Sequence, residues 1–194
     1  MRVLSIDVET SGLVPTYDLI TQIGAVVMED GEPVSEPFYT HIQPDWGKFK
    51  ISVAAAEAQI GGMESFMAWI ETLKAAPTGL EVAKAFSGWC LAVEAEKYPT
   101  IAYKAVFDWG FLDSKLFCFT SVFRASPLSS TWIDVLDLAR KRFQKSLPNN
   151  TLDAVCLALG IETKRSGHDA LQDAILCGQV FHGLGGAYPQ GNNE

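Results

Sequence analysis

Two carboxylates near the start of the chain have the spacing of a metal site. Asp7 and Glu9 lie in Ser5-Ile6-Asp7-Val8-Glu9-Thr10, which is typical of a short buried strand. Because side chains alternate along a strand, both acids point to one face. Adjacent carboxylates repel unless a cation lies between them, and Mg²⁺ binds one or two carboxylates together with substrate phosphates. The hexapeptide alone allows two interpretations: half of a metal site aimed at a phosphate, or a strand end with solvated acids.

Three residues further along the chain have side chains suited to the same site. Asp108 follows Val106-Phe107 at the predicted end of a strand, where α/β sheets bind ligands and a helix N-terminus favours anions. His168 and Asp173 are five residues apart, about 140° around a helix, so they would not share a helix face. We therefore place His168 on the turn before the last helix and Asp173 one turn inside it, from where both can reach one site.

Length and composition indicate one globular domain. The 194 residues are 48% apolar and 20% charged, which fits a folded chain with a sizeable core. A net charge of −8 excludes a strongly basic nucleic-acid coat protein, but not an enzyme whose metal ions face the phosphates. The four cysteines lack metal-ligand spacing and are expected to be buried and reduced. With no signal peptide or membrane-spanning run visible, we expect a soluble, cytoplasmic protein.

The elements expected from periodicity and turn residues make an α/β domain. Short apolar runs predict five strands, the first containing Asp7 and the others over residues 20–28, 37–42, 100–106 and 131–135. Helical spacing and capping residues predict helices over 53–59, 80–96, 109–123, from 135 through 143, over 152–159, and from 168 onward. A meander followed by strand–helix units predicts a mixed sheet with helices packed on it. One domain would occupy residues 1–183, followed by a flexible tail over 184–194.

Taken together, the motifs resemble those of the DEDDh 3'-5' exonucleases. This DnaQ-like family includes polymerase proofreading subunits, oligoribonuclease and ribonuclease T. The resemblance rests on Asp7-Val8-Glu9-Thr10-Ser11-Gly12-Leu13, on Phe107-Asp108-Trp109-Gly110-Phe111-Leu112, and on His168 with Asp173 five residues later. Connecting segments at 19–26, 133–140 and 148–154 are also similar, so it spans roughly residues 2–181. It implies an RNase H-like fold with a mixed five-stranded sheet flanked by helices.

The resemblance implies a role for each acidic residue and for the histidine. Asp7, Glu9, Asp108 and Asp173 would hold two Mg²⁺ or Mn²⁺ ions, with Asp7 bridging them. His168 would be the general base for the attacking water, a role that an imidazole pKa near 6.5 suits at neutral pH. Hydrolysis would proceed from the 3' end and release nucleoside 5'-monophosphates.

The same resemblance implies a substrate-binding surface beside the metal site. The backbone at Thr10 and Gly12 would hold the terminal nucleotide, Leu13 would wedge against its base, and Phe107 would add an apolar wall. Lys104 departs from the family, which usually has Asn four residues before the second-motif aspartate. Its ammonium could contact a substrate phosphate, pair with a motif carboxylate, or weaken a hydrogen bond that the family uses.

The motifs are compatible with more than one function. Single-stranded DNA is the favoured substrate, and short RNA or tRNA ends are the alternative, since the motifs do not reveal a 2'-hydroxyl pocket. A non-catalytic module that binds a polymerase or a nucleic-acid end would predict a lost ligand. A haloacid-dehalogenase phosphatase requires a second aspartate where Glu9 stands, and it ranks last. The expected partners are 3' ends and, as a further option, a polymerase or another replication or repair protein, with the chain a monomer or homodimer.

Other polar and aromatic residues have simpler interpretations. His41 and His182 are expected at the surface or at a helix end. Asp169, beside His168, is a candidate to support that histidine, although helix-end or solvated positions are expected for it and for Asp113, Asp134 and Asp137. The aromatic residues over 109–123 are expected to pack helix against sheet. Trp46 and Phe49 are further candidates for contacts with the incoming nucleic-acid strand.

Overall fold

The computed structural model describes residues 1–52, 55, 63–123, 125–144, 146–163 and 167–186. The strands are β1 (Arg2–Thr10), β2 (Ile20–Glu29), β3 (Glu32–Pro33), β4 (Phe38–His41), β5 (Thr100–Ala102) and β6 (Trp132–Asp134). The helices are α1 (Met63–Ala75), α2 (Gly79–Ala92), α3 (Ala105–Phe111), α4 (Val135–Phe143), α5 (Leu152–Ala158) and α6 (Ala170–Gly183). Within these described ranges, no helix has the length and apolar character needed to cross a membrane.

The six strands form one mixed sheet, which confirms the predicted fold class. Its order is β3-β2-β1-β5-β6, and β4 also pairs with β2. Strands β1 and β2 are antiparallel, whereas β5 and β6 continue the sheet in parallel. The predicted count of five strands was wrong. Asp30 and Gly31 both have positive φ and form a tight turn, from which β3 makes two further residue pairs with β2 before β4 begins.

The boundaries around the second motif differ from the prediction. The strand predicted over 100–106 ends at Ala102, and α3 begins at Ala105, so Asp108 lies in the first turn of a helix and not at a strand end. The backbone of Lys104 turns the chain between them at φ 134° and ψ 59°. The helix predicted over 109–123 ends early, because a π-helical turn, Leu112–Leu116, follows α3.

Other helices agree with the sequence to varying degrees. Thr78 and Glu81 form a capping box that starts α2, which ends at Ala92, short of the predicted 96. The Thr151 side chain caps α5 by accepting a hydrogen bond from the Ala154 N–H. Helix α1 was not predicted. The helix predicted over 53–59 lies outside the described residues apart from Ala55, whose N–H donates to the Ser52 hydroxyl at 3.1 Å. Residues 187–194 of the predicted tail also lie outside them.

The sheet separates two apolar cores, and β1 contributes to both. Leu4, Ile6 and Val8 pack beneath α2 and α3 on one face. Val3 lies on the opposite face, in the core formed with α4, α5 and α6. Strand alternation therefore turns Asp7 and Glu9 toward the face covered by α6. As predicted, the second-motif aromatic residues belong to the first core: Trp109, Phe111, Phe117, Phe119 and Phe123.

Helix α6 crosses the sheet at very close range. A Cβ atom at Gly24 would lie 2.3 Å from the Leu171 nitrogen and 2.4 Å from the Ala170 carbonyl carbon. The Ser5 hydroxyl donates a hydrogen bond to the Ala174 carbonyl at 2.6 Å. Because the β2 backbone at Gly24 packs directly on the α6 backbone and the Ser5 side chain bonds α6 to β1, the first turns of this helix have little freedom to move relative to the strand that carries Asp7 and Glu9.

Candidate active site

The first two carboxylates lie on the central strand under the N-terminal half of α6. Asp7 pairs across the sheet with Gly24, and Glu9 pairs with Gln22. Both acids are half-buried, between the fully buried apolar residues of β1 and solvent. The register of β1 against β2 shifts between Glu9 and Thr10, so regular pairing ends just beyond the second acid.

Asp108 reaches β1 from α3. Strand β5 pairs with Leu4 and Ser5 and has ended before Val8, so Asp108 occupies the next place along that edge. Its Oδ1 accepts a hydrogen bond from the Val8 N–H at 3.2 Å. The residue is 2% exposed. Helix α3 therefore delivers a carboxylate to the same strand that bears Asp7 and Glu9.

The surroundings of Asp108 oppose its ionisation. Burial raises the pKa of the Asp108 carboxyl well above its ordinary value, and the negative charges of Asp7 and, more weakly, Glu9 raise it further. The hydrogen bond from Val8 acts in the opposite direction. A bound cation is most stabilising where carboxylates of like charge are held close together in a buried site.

His168 and Asp173 occupy the places expected from their spacing. His168 precedes α6, and Asp173 lies in its first turn. His168 Nδ1 is 2.9 Å from Asp173 Oδ2. The histidine side chain is 48% exposed, whereas that of Asp173 is only 6% exposed. The ring thus faces solvent with one nitrogen engaged by a buried carboxylate.

The structure brings all five predicted residues to one place. Among the described residues, the ligand atoms of Glu9, His168 and Asp173 lie within 4.8 Å of one another. The charges of Asp7 and Glu9 raise the pKa of Asp108, so Asp7 and Asp108 belong to the same cluster of carboxylates. Four carboxylates from β1, α3 and α6 offer hard oxygen donors, which suit a divalent cation such as Mg²⁺ or Mn²⁺.

The turn that follows β1, a few residues after Glu9 in the chain, presents an exposed apolar side chain. The Thr10 hydroxyl donates to the Gly12 carbonyl at 2.6 Å, and the Asp18 carboxylate accepts from the Val14 N–H at 2.8 Å. A Cβ atom at Gly12 would lie 2.4 Å from that carboxylate, so a larger residue would displace the Asp18 side chain from the turn. Leu13, at the tip, is 78% exposed.

The remaining predicted substrate-binding residues lie around α3. Phe107 is partly buried against the first core, with its ring centroid 4.9 Å from that of Phe111. Lys104 is exposed at the N-cap of α3, where its side chain makes no capping hydrogen bond. Its backbone φ of 134° lies in a region that glycine adopts more readily than lysine.

Sequence reasoning missed a polar cluster beside His168. Gln22, Tyr39, His41 and Asp169 are joined by hydrogen bonds. Gln22 stood inside a segment that supported the family resemblance, but no role had been attached to it. One feature of the sequence could have indicated a role for Gln22: pairing of the first two predicted strands can place it next to Glu9. His41, expected at the surface, is half-buried.

The other acidic residues considered from the sequence lie at helix ends or on an exposed helix face. Asp169 accepts from the Gln172 N–H at 3.0 Å and caps α6, and Asp134 caps α4 in the same way. Asp137 pairs with Arg140 on the exposed face of α4. Three cysteines are buried as expected, whereas Cys118 is exposed.

A family model for exonucleases, RNase_T, matches residues 4–181. The chain belongs to the exonuclease family. This match covers nearly all of the described sheet and every carboxylate of the site, and it confirms the resemblance that the motifs indicated. The family assignment supports a nuclease, which hydrolyses phosphodiester bonds.

Exonuclease sequences related to this chain occur within much longer proteins. A PolC-type DNA polymerase III of Bacillus cereus is 29% identical over 180 residues, which cover 90% of this chain and 11% of the polymerase. The PolC-type enzyme of Thermotoga petrophila is 31% identical over 176 residues, covering 91% of this chain and 11% of the polymerase. The chain therefore spans about a ninth of the length of these relatives.

Solved exonucleases share the fold at low sequence identity. Exonuclease I of E. coli superimposes with a TM-score of 0.71 at 18% identity, covering 97% of this chain and 41% of that enzyme. The nuclease domain of 3'hExo, a DEDDh family member, gives a TM-score of 0.71 at 16% identity, covering 93% of this chain and 90% of that domain. The exonuclease fold is thus reproduced across almost the entire described chain.

Proposed function

We propose that this exonuclease is a metal-dependent 3'-5' enzyme that hydrolyses single-stranded nucleic acid, with DNA favoured, and releases nucleoside 5'-monophosphates. The observation that carries the proposal is the burial of Asp108 against the carboxylates of β1, where its own ionisation is opposed. A buried acid cluster that is costly without a cation, with a histidine at its edge, is the chemistry expected of a phosphodiester hydrolase.

Asp7, Glu9, Asp108 and Asp173 are the residues that would hold two Mg²⁺ or Mn²⁺ ions. When bound, such ions stabilise the charge that develops on the scissile phosphate and lower the pKa of the attacking water. The protein supplies the ligand geometry: β1 fixes two carboxylates one pleat apart, and α3 and α6 each add one. With a net charge of −8, the chain needs cations at this place to attract a phosphate.

His168 would take the proton of the attacking water at Nε2. Its Nδ1 lies 2.9 Å from Asp173 Oδ2, so an N–H at Nδ1 donates to that carboxylate and leaves the Nε2 lone pair available. A carboxylate has two oxygens, so Asp173 can orient His168 through one and contribute to a cation site through the other. Exposure of the ring lets the proton pass on to solvent.

The turn after β1 would hold the 3'-terminal nucleotide. Leu13 is exposed on the turn that follows the two carboxylates of β1, and it would pack against the terminal base. Phe107 offers an aromatic face at the N-terminus of α3. Apolar and aromatic surfaces bind bases with little sequence preference, as an enzyme that removes any terminal nucleotide requires.

RNA is the alternative substrate. The solved structures with the same fold do not distinguish between DNA and RNA. The E. coli exonuclease I structure holds a DNA oligonucleotide, whereas that of 3'hExo holds rAMP. The PolC-type relatives are DNA polymerases, which favours DNA and an association with a polymerase. A purely binding role is less well supported, because every ligand that the family motifs require is present.

The test uses 5'-labelled single-stranded DNA and RNA of matched sequence, with Mg²⁺, with Mn²⁺ and with a chelator. Wild type is compared with Asp7→Ala, His168→Ala and Asp113→Ala, the last removing an exposed acid outside the site. We expect a metal-dependent ladder shortening from the 3' end, abolished by Asp7→Ala and unaffected by Asp113→Ala. The faster substrate identifies the class. Absence of cleavage with both metals and both substrates would contradict the proposal.

A further inference from the structure

A side chain from β2, that of Gln22, bonds the first turn of α6. The Ala170 N–H donates to Gln22 Oε1 at 2.8 Å, so a backbone donor of the helix N-terminus is satisfied from the neighbouring strand. The next capping bond comes from Asp169, whose Oδ1 accepts from the Gln172 N–H at 3.0 Å. Because Gly24 on the same strand leaves no room between β2 and α6, this contact is rigid.

Tyr39 on β4 extends the contact to the residue that follows His168. Its hydroxyl donates to Asp169 Oδ2 at 2.7 Å and accepts from Gln22 Nε2, also at 2.7 Å. Gln22 Nε2 lies 3.1 Å from His41 Nε2 and 3.4 Å from Asp169 Oδ2. Both oxygens of Asp169 are therefore engaged, one by the helix it caps and one by the sheet.

The Gln22 amide nitrogen carries two hydrogens and faces three acceptors. Its two shorter contacts, to the Tyr39 hydroxyl and to His41 Nε2, use both hydrogens when His41 is neutral with its proton on Nδ1. Burial lowers the pKa of His41, although the charge of Asp169 acts to raise it. The polar atoms thus form a connected network between β2, β4 and the start of α6.

We propose that Gln22 and Tyr39 are positioning residues that fix His168 for catalysis. They hold Asp169 and the first turn of α6, and His168 is the residue immediately before Asp169. With that turn fixed, His168 Nδ1 stays within 2.9 Å of Asp173 Oδ2 and the ring remains beside Glu9, with its other edge open to solvent. This inference rests on the proposed exonuclease function.

The network acts on the general base and not on the nucleotide-binding turn. The turn after β1 is held by different hydrogen bonds, from the Thr10 hydroxyl to the Gly12 carbonyl and from the Val14 N–H to the Asp18 carboxylate. Loss of a network bond should therefore lower kcat and leave KM unchanged. Removal of hydrogen-bonded partners behind catalytic or metal-binding residues typically costs 10–100-fold in activity.

Tyr39→Phe and Gln22→Met are the test variants, because each deletes the polar atoms and keeps the size of the side chain. Tyr98→Phe is the matched control, since it removes a tyrosine hydroxyl that bonds Arg2 at the opposite end of β1. Steady-state kcat and KM are measured on the preferred oligonucleotide, together with the melting temperature. We expect kcat to fall about tenfold or more in both test variants, with KM within about twofold and the control at wild-type rates.

A double-mutant cycle separates positioning from simple loss of stability. In a His168→Ala background, with free imidazole added to bring the rate into a measurable range, Tyr39→Phe and Gln22→Met should cause no further loss. Unchanged kcat in the single variants, a rise in KM alone, or losses that multiply in the His168→Ala background would each overturn the inference. An inactive wild-type enzyme would instead contradict the proposed function itself.

Discussion

Asp108 combines almost complete burial with two carboxylate neighbours, and its protonation links stability to catalysis. Burial and the charge of Asp7 raise its pKa, so the folded chain prefers the protonated form more than the unfolded chain does. Its contribution to stability is therefore fully present below the unfolded pKa near 3.9 and is lost as the pH rises through the raised folded value. A bound divalent cation would reverse this loss.

We predict that Asp108→Asn stabilises the metal-free protein at neutral pH while abolishing nuclease activity. The amide oxygen can still accept from Val8, and the cost of ionising a buried acid beside Asp7 is removed, so the expected gain is on the order of 1–3 kcal/mol. Thermal melts in chelator and in Mg²⁺ check this. Wild type should gain stability on adding Mg²⁺ and the variant should not. A variant less stable than wild type in chelator would contradict this view of the site.

Lys104 combines an unusual backbone conformation with a positive charge, and substitutions can separate the effects of the two. Lys104→Gly and Lys104→Ala both remove the ammonium, but only glycine adopts φ 134° easily. We expect Lys104→Gly to be more stable than Lys104→Ala by about 1 kcal/mol in chemical denaturation. If the ammonium contacts a substrate phosphate, both variants should raise KM equally, and the increase should shrink at high salt. Equal stability of the two variants would argue against backbone strain.

At the scale of elements, the site depends on how closely α6 approaches β2. Helix α6 carries Asp173 and follows His168 directly, so a shift of this helix moves two of the five residues together. The approach is possible because Gly24 has no side chain, and Ser5 ties the middle of the helix to β1. Packed elements of this kind transmit strain rather than absorb it.

We predict that Gly24→Ala destabilises the protein by about 3 kcal/mol or more and strongly reduces activity. The new Cβ would meet backbone atoms of Ala170 and Leu171, which cannot rotate away as a side chain could. Gly88→Ala is the control, because a Cβ there, within α2, meets nothing within 4 Å and should be neutral or stabilising. Denaturation midpoints and nuclease rates check both. A Gly24→Ala variant with wild-type stability would show that α6 can move freely.

For the whole molecule, the sequence predicted the general arrangement of the site residues more accurately than the local backbone geometry. Strand alternation placed Asp7 and Glu9 on one face, and the five-residue spacing placed His168 before α6 and Asp173 within it. The position of Asp108 inside a helix was not predictable, because it depends on an unusual backbone conformation at Lys104. The two-residue β3 was missed because it is shorter than an ordinary strand. Helix α1 was missed although Phe66, Trp69, Ile70 and Leu73 have the spacing of one helix face.

Contacts between distant segments were the other part that the sequence did not contain. The bonds of Gln22 with Tyr39 and with Asp169 join residues 17 and 147 positions apart, and local propensity says nothing about such pairs. The close approach at Gly24 is similar, since a glycine in a strand is compatible with a bulge, a bend or a neighbouring backbone. The family motifs named the residues of the site, and the fold shows how they are held.

The most direct measurement of the central claim follows both ends of one single-stranded oligonucleotide during the first turnovers. The 3'-terminal nucleotide carries one label and the 5' end another, and products are separated by size with and without Mg²⁺ or Mn²⁺. We predict that the 3' label appears first as a free nucleoside 5'-monophosphate, while the 5' label remains in long fragments, and only when metal is present. Early release of the 5' label, cleavage within the strand, or the same products in chelator would contradict a metal-dependent 3'-5' exonuclease.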